Sequence, residues 1–132
     1  MNLRKSQRVF KSTLKDRCDV YSKERVRVGM EWKELYIRVE KDVPCRVSTL
    51  QRQDTEGLPN NRQEFITPYV LYTLPIKIKQ DDRVHFKNNW YEVTTKVRNP
   101  SFLDHHYESP IDTTDEKYKV VETKGGAYLE QI

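Results

Sequence analysis

The stretch DRVHFKNNWYEVTTKV, residues 82–97, carries the strongest structural signal in the chain. Apolar and polar residues alternate in it on both sides of Lys87-Asn88-Asn89. Alternation with a period of two places one set of side chains on one face of a strand. Asparagine tolerates the positive φ angles that tight hairpin turns need. The stretch therefore predicts an antiparallel hairpin from Asp82 to Val97, in which Val84 and Phe86 alternate before the turn and Tyr91, Val93, Thr95 and Val97 alternate after it.

Further strands are predicted on both sides of this hairpin. Residues 17–21 and 43–50 alternate in short runs, and residues 70–78 form a longer run that Pro75 bends or leaves at an edge. Tyr118 and Val120 predict a last strand, which Gly125-Gly126 ends. Proline cannot donate to a strand ladder, so Pro44 is expected at a strand start or a sheet edge.

Residues 32–40 fit two interpretations. Leu35, Ile37 and Val39 alternate as in a strand, whereas Trp32, Leu35, Tyr36 and Val39 also fit the spacing of a helix face. We predict a strand, because another strand-like run follows closely. The preceding residues 22–31 are polar, contain Gly29 and are predicted to be a connection.

The composition supports a β-rich protein. The chain of 132 residues contains a single alanine, whereas valine, threonine and tyrosine together supply 31 residues. Alanine favours helices, while β-branched and aromatic residues suit strands. Together with the turn signals, this predicts one mainly β domain over residues 1–132, a small antiparallel β-barrel, SH3-like or similar, with a short N-terminal helix and long inserted loops.

Within this domain, four segments are assigned around the strands. Residues 1–15 form a basic arm, in which residues 3–14 have the spacing of an amphipathic helix, and residues 16–124 form the barrel body. Residues 51–65 and 98–116 are read as long loops, and residues 125–132 as a tail. The helix either packs on the body with a solvated basic face, which we favour, or reaches a partner. Connections of this length are usually functional or disordered.

The basic character of the chain is concentrated at its N-terminus. Residues 1–17 carry a net charge of +5, and the rest of the chain carries −1. A nearly neutral body is a poor match to binding phosphates by bulk charge. Cys18 and Cys45 are too few for a disulfide scaffold or a zinc site, which predicts buried core thiols and leaves a disulfide between neighbouring strands as the weaker alternative.

No residue set predicts catalysis, a metal site or a cofactor. Asp104-His105-His106 is the one cluster that invites a metal ion, but adjacent side chains of a strand point to opposite faces and a third ligand is missing. A glycine-rich phosphate loop and a nucleophile motif are both absent. The chain also lacks an apolar run long enough to span a membrane, and an N-terminal signal segment. We therefore expect a protein that is not an enzyme, folds in a cytoplasm and does not enter a membrane.

A set of motifs in fixed order resembles a known family. Arg17-Cys18-Asp19-Val20-Tyr21, Val43-Pro44-Cys45-Arg46-Val47-Ser48, Asp82-Arg83-Val84, Trp90-Tyr91-Glu92-Val93 and the trailing Pro100 follow one another over residues 16–100. This order resembles the neck proteins of tailed bacteriophages. The chain is most similar to the head-closure (stopper) proteins of siphophages and to the related proteins of defective prophages.

The resemblance implies a structural role in the head–tail connector. Such proteins form a ring of twelve copies beneath the portal and its adaptor, close the channel after DNA packaging and present a surface to the tail. Their partners are therefore the portal and adaptor rings, neighbouring copies of the same chain and tail proteins, with packaged double-stranded DNA passing through the channel. The implied location is the virion neck, after synthesis in the host bacterial cytoplasm.

The resemblance also implies candidate site residues. In the family, the long loop after the early strands projects into the channel as its gate, and here the corresponding residues are Gln53, Asp54, Thr55, Glu56, Gly57, Leu58, Pro59, Asn60, Asn61 and Arg62. The N-terminal arm and the 98–116 loop contain few core residues and are candidate contact surfaces. The candidate interface residues in them are Arg4, Arg8, Phe10, Lys11, Phe102, His105, His106 and Tyr107.

The main alternative is a small nucleic-acid-binding β-barrel. Barrels of this kind present exposed aromatic side chains on a basic groove. Trp90, Tyr91, Phe86 and Tyr72 are candidates for such a platform, with Arg83, Lys87 and Lys96 nearby. Phe86 and Tyr91, however, lie at the alternating positions that a core requires, and we predict that they are buried.

Overall fold

The computed structural model describes residues 3–49 and 69–132, and strands dominate it. One α-helix, α1 (Leu3–Lys11), precedes the strands, and a short 3-10 helix (Pro100–Phe102) lies between the fifth and the sixth. The eight strands are β1 (Asp16–Val28), β2 (Glu31–Thr49), β3 (Tyr69–Thr73), β4 (Arg83–Phe86), β5 (Asn89–Val93), β6 (Tyr107–Thr113), β7 (Tyr118–Thr123) and β8 (Gly126–Gln131).

Six of the strands close into a ring. Their order is β1-β4-β5-β6-β3-β2, and the pairing of β2 with β1 completes the circle. Every pairing in it is antiparallel. Closure removes the unpaired edges that an open sheet would expose. The predicted fold class, a mainly β protein built as a small antiparallel barrel, is confirmed.

The predicted hairpin is strands β4 and β5. Phe86 pairs with Asn89 across a two-residue turn in which Lys87 and Asn88 have φ angles of 48° and 65°. Two consecutive positive φ angles match a type I′ turn, whose twist suits a hairpin. Val84, Phe86, Tyr91 and Val93 are all buried, as the alternation predicted. The strand ends at Val93, so the predicted alternation does not continue to Thr95, which is exposed, or to Val97, which is partly buried.

The interior of the ring is a continuous apolar core. Its buried residues come from all six strands, so closing the ring and burying the core are one event. The core consists of Cys18, Val20, Val43, Cys45, Leu71, Val84, Phe86, Tyr91, Val93 and Ile111. The prediction that both cysteines are buried core thiols is confirmed, because both are free and buried.

The two core thiols are expected to be unreactive in the folded protein. A hydrogen bond with Cys45 and then burial raise the pKa of the Cys18 thiol, which suppresses the reactive thiolate. A chromogenic disulfide reagent at pH 8 should label the native protein at least about 100-fold more slowly than the protein in denaturant. Both thiols should appear together as the protein unfolds. Rapid labelling of one thiol in the native state would contradict the assigned core.

A second sheet region extends beyond the ring. Past the end of β4, strands β1 and β2 continue as a two-stranded arm to the turn at Gly29 and Met30. Strand β8 pairs with β2 at Ile37, and β7 pairs with β8. The prediction that residues 22–31 are a polar connection is therefore wrong, because most of them belong to these two strands. Residues 32–40 lie in β2, so the strand interpretation is confirmed.

The C-terminal assignments also need correction. Residues 125–132 are not a tail, since they contain β8, in which Ala127 and Leu129 are buried. The strand predicted at Tyr118 and Val120 is β7, which ends at Thr123 before the turn at Gly125, whose φ is 103°. It is not the last strand, because β8 follows this turn. Both strands lie outside the ring and cover its side, so the barrel is smaller than the predicted body of residues 16–124.

The predicted loop at residues 98–116 contains a ring strand, β6. Ser109 and Ile111 are fully buried, and the proline between them concealed the alternation. The Pro110 carbonyl accepts a hydrogen bond from the Thr94 backbone N–H at 3.0 Å. On this side of β6 the pairing with β5 ends at Val93, so the missing proline N–H interrupts no ladder.

Prolines explain two further differences. The predicted strand over residues 70–78 ends at Thr73, two residues before Pro75, and both Val70 and Leu71 are buried. Pro44 lies inside β2 and not at a strand start, paired with Arg17. A register irregularity follows at Cys18, and Asp42 takes a φ of 55°. A bulge of this kind accommodates proline within a paired strand.

A smaller second core joins the arm region to the outside of the ring. Tyr21, Tyr118 and Leu129 are buried in it, with Tyr36, Trp90 and Val120 packed around them. The Trp90 ring lies 5.1 Å from that of Tyr118 and 5.5 Å from that of Tyr21. Tyr21 and Trp90, on the outer face of the ring, therefore pack against side chains of β2, β7 and β8.

Candidate functional site

The predicted gating loop falls in a long insertion between two paired strands. Strand β2 ends at Thr49, β3 begins at Tyr69, and these two residues are partners in the ladder. The chain leaves the ring and returns to it at neighbouring positions. The candidate residues Gln53 to Arg62 lie outside the described residues. The structure shows where the insertion begins: it follows Thr49, at the end of β2 opposite the arm.

The N-terminal helix is docked on the segment that precedes β6. Gln7 Nε2 donates to the backbone carbonyls of Asp104 and His105 at 2.9 and 3.1 Å. The Phe10 ring stacks on His106 at 4.6 Å and meets His105 edge-on at 5.5 Å. The interpretation that the helix packs on the body is thereby supported. Three of the eight candidate interface residues, Phe10, His105 and His106, therefore contact one another within the chain.

A chain of hydrogen bonds continues from the helix into the barrel. Ser6 Oγ lies 2.7 Å from His105 Nε2, the two histidine Nδ1 atoms are 2.8 Å apart, and His106 Nε2 lies 3.0 Å from Glu108 Oε2. Arg98 pairs with the other oxygen of this carboxylate at 3.3 Å. The expectation that adjacent histidines diverge is wrong here, because they precede β6 and are not held in a regular strand.

The donor and the acceptor of each hydrogen bond in this chain can be assigned in order, starting from the Glu108 carboxylate. An ionised Glu108 only accepts, so His106 Nε2 donates to it, and a neutral His106 then accepts at Nδ1. His105 consequently donates through Nδ1 and accepts the Ser6 hydroxyl proton at Nε2. One continuous chain of donors and acceptors therefore joins Ser6 to Glu108. The arrangement is a positioning network that fixes α1 on the barrel.

Releasing the helix should not unfold the barrel. Replacing Phe10 with alanine removes both ring contacts, and aromatic contacts of this kind contribute about 0.5–1.5 kcal/mol beyond area burial. We expect limited proteolysis within residues 3–11 to become about tenfold faster, with little change in global unfolding, because none of the helix side chains that the structure describes, residues 5–11, belongs to the ring core. Val9→Ala is the matched control, since Val9 is 63% exposed on the same helix. Equal proteolysis of both variants would contradict the docking.

The remaining interface candidates occupy varied positions. Arg4 lies in α1, and the side chains of Arg8 and Lys11 are exposed on the same helix. Tyr107 is half-buried at the start of β6. Phe102 is 90% exposed beside Leu103, which is 59% exposed. Phe102 is therefore an exposed apolar member of the predicted interface, and Leu103, which the sequence analysis did not single out, extends this apolar surface.

The loop that carries Phe102 is held in a defined shape. Asn99 Nδ2 donates to Asp104 Oδ1 at 2.7 Å, and the Asp104 backbone N–H donates back to Asn99 Oδ1 at 3.0 Å. Phe102 has a φ of 55°, a strained value for a bulky residue. Beside it lies a groove of about 480 Å³, lined by Lys96, Val97, Arg98, Asn99, Pro100, Phe102 and Glu108. A rigid, exposed aromatic beside a groove suits protein contact.

Sequence reasoning missed the arm tip. Val28, Met30 and Trp32 are 47%, 89% and 57% exposed around the turn. Val26 and Val28 alternate with arginines immediately before Gly29, and this alternation was available as a hairpin signal. The high charge of the segment led to its interpretation as a connection.

No protein-family model matches this chain, and no curated protein matches it. Within residues 3–49 and 69–132, no three or more histidine, cysteine, aspartate and glutamate side chains are grouped to hold a metal ion. None of the described helices has the length and apolar character needed to cross a membrane.

Proposed function

We propose that this chain is a structural protein of a bacteriophage head–tail connector, which closes the portal channel after DNA packaging and provides the tail attachment surface. The observation that carries the proposal is the insertion at residues 50–68, whose two ends meet at the Thr49–Tyr69 pair of a closed ring. Such an insertion can change conformation while the barrel that holds it stays intact.

The distribution of surfaces agrees with assembly into a ring. The insertion lies at one end of β2 and the apolar arm tip at the other. The exposed Phe102 and Leu103 offer a further contact. Each copy in a ring is held by its neighbours and by the rings above and below, so weak contacts add to a stable assembly. A nearly neutral body lets packaged DNA slide past without being retained.

The direct test is an early stop codon in this gene of the phage or prophage that encodes it. Electron microscopy of the lysate should then show heads that have lost their DNA beside complete, free tails. Supplying the intact gene from a plasmid should restore joined particles. Normal infectious particles from the stop mutant would overturn the proposal.

A shortened insertion should leave the folding of the barrel unchanged and abolish closure of the portal channel. Replacing residues 53–63 with a short glycine-containing turn is expected to change the free energy of unfolding by less than about 1 kcal/mol, because loop-closure entropy varies slowly with length. The same variant should fail to retain DNA in heads when it replaces the intact protein. Loss of cooperative unfolding would refute the assignment of a separable loop, and full infectivity would refute its gating role.

The nucleic-acid alternative makes a different prediction. A barrel that binds single strands should bind an oligonucleotide with an affinity that falls steeply between two salt concentrations. Phe86 and Tyr91, two of its four platform candidates, are buried in the ring core. We expect no salt-dependent binding attributable to these aromatics. Strong oligonucleotide binding that is lost when an exposed residue is replaced would favour the nucleic-acid alternative.

A further inference from the structure

The arm region has two unpaired strand edges in the described part of the chain. Strand β1 pairs with β4 only over residues 18–21, so residues 24–28 have a partner strand on the β2 side alone. Strand β7 is the last strand of the sheet and has a partner only in β8. Unpaired edges present rows of backbone donors and acceptors that another strand can bind.

These two edges have the geometry to bind each other between copies. The arm sheet has the order β1-β2-β8-β7 with antiparallel neighbours throughout, so β1 and β7 run in opposite directions. If β7 of one copy lies beside β1 of the next copy, the two arm sheets join by an antiparallel pairing. The same face of the sheet then points in the same direction in both copies. This is a head-to-tail contact, the type that builds rings.

The charges of the two edges complement each other. Strand β1 presents three cations on one face of the arm sheet, Lys23, Arg25 and Arg27. Tyr36 and Trp32 of β2 lie on the same face. On the same face of the sheet, β7 presents Tyr118, Val120 and Glu122. Any register that opposes Glu122 to residue 23, 25 or 27 therefore places it opposite a cation. Opposite charges facing each other across strands are stabilising.

One register pairs the two free segments along their whole length. Placing Arg25 opposite Glu122 also places Val26 opposite Val121, and it aligns residues 24–28 with residues 119–123. Glu122 is already presented on this edge, since Arg38 holds its carboxylate at 3.2 Å while its side chain stays 65% exposed. We propose that copies of this chain associate through this antiparallel pairing of β1 with the neighbour's β7.

The apolar arm tip strengthens the choice of a docking edge. Strand edges that avoid association are short or carry charged side chains. The cations of this edge have a complementary acid, Glu122, on the edge proposed to bind it. Here the edge ends in Val28, Met30 and Trp32, three exposed apolar side chains within five residues. The pairing is argued from the edges themselves, and only its closure into a ring rests on the proposed function.

Disulfide trapping tests the register in the purified protein. The single variants R25C and E122C are mixed in equal amounts and oxidised slowly, and the buried native thiols stay protected. The matched control mixes E24C with E122C, which lie on opposite faces in the proposed pairing. We expect about tenfold more cross-linked dimer from the first mixture than from the control. The double variant R25C/E122C should give a ladder of higher multimers.

The outcomes distinguish this inference from the proposed function. Equal cross-linking in both mixtures, or none in either at concentrations up to about 1 mM, would overturn the strand pairing. Empty heads from the stop mutant together with absent cross-links would leave the connector role standing and exclude this contact. Cross-links together with normal particles from the stop mutant would support the pairing and reject the connector role.

Discussion

Replacing Tyr91 with alanine is expected to lower the free energy of unfolding by about 2–4 kcal/mol. The side chain is 9% exposed and lies inside the ring, where its centroid is 5.8 Å from that of Tyr69 and 6.3 Å from that of Phe86. Truncation removes this burial and leaves a cavity that the closed ring cannot fully collapse. Urea denaturation followed by circular dichroism measures the loss.

Phe102→Ala is the matched control for this truncation. Phe102 is 90% exposed, so its removal should change the free energy of unfolding by less than about 0.5 kcal/mol. Val93→Ala, at 1% exposure, should resemble Tyr91→Ala in direction. A loss below about 0.5 kcal/mol for Tyr91→Ala would mean that the ring is open at this position. Aromatic side chains accessible at an open ring would favour the alternative function, a barrel that binds single-stranded nucleic acid.

Local alternation predicted the parts of this fold that depend on neighbouring residues. The β4–β5 hairpin has its turn and its buried face inside one short stretch, so no distant contact was needed to place it. The burial of Cys18 and Cys45 followed from their apolar neighbours in the same way. Closure of the ring depends on pairings such as β1 with β4, between residues far apart in sequence, and only the fold class could be inferred for it.

Two kinds of residue, proline and charged residues, concealed the remaining strands. Pro110 hid β6, because a ring strand can contain proline where its neighbour has ended. Charged residues hid the arm, since alternation without burial looks like a polar connection. The helix–histidine contact was beyond prediction, because Ser6 and His105 are brought together by tertiary packing alone. The predicted gating residues, Gln53 to Arg62, lie outside the described residues, so their role stays a prediction from the family resemblance.

Replacing Arg83 with methionine is expected to lower the free energy of unfolding by about 2–4 kcal/mol. Arg83 is 9% exposed, and its Nε donates to the Tyr118 hydroxyl at 3.0 Å while Nη1 donates to the Asp81 carbonyl at 2.8 Å. Nη2 lies 3.4 Å from Glu116 Oε2. Methionine retains much of the apolar volume but leaves these acceptors without their donor. The loss should therefore reflect the hydrogen bonds that tie the ring to β7.

Lys23→Met is the matched control for this change. Both cations lie over the Tyr36 ring, Arg83 at 4.9 Å and Lys23 at 5.7 Å, but Lys23 is exposed and its salt bridge is with an exposed Glu34. An exposed pair contributes about 0–1 kcal/mol, so Lys23→Met should have little effect. Equal losses in the two variants would mean that the cation–ring contact, and not the buried network, carries the stability.

The pH dependence of stability at alkaline pH tests the same hydrogen bonds of Arg83, Tyr118 and Glu116 independently. Burial and the hydrogen bond donated to Glu116 raise the pKa of Tyr118 to about 12 from 10.0, so the folded protein keeps this hydroxyl protonated after the unfolded chain has lost its proton. Its contribution is complete below pH 10 and decreases as the pH rises towards 12. Tyr118→Phe should be less stable than the native protein at pH 8, and this difference should shrink between pH 10 and 12. A constant difference across that window would show that the Tyr118 hydroxyl is not held by Glu116 and Arg83.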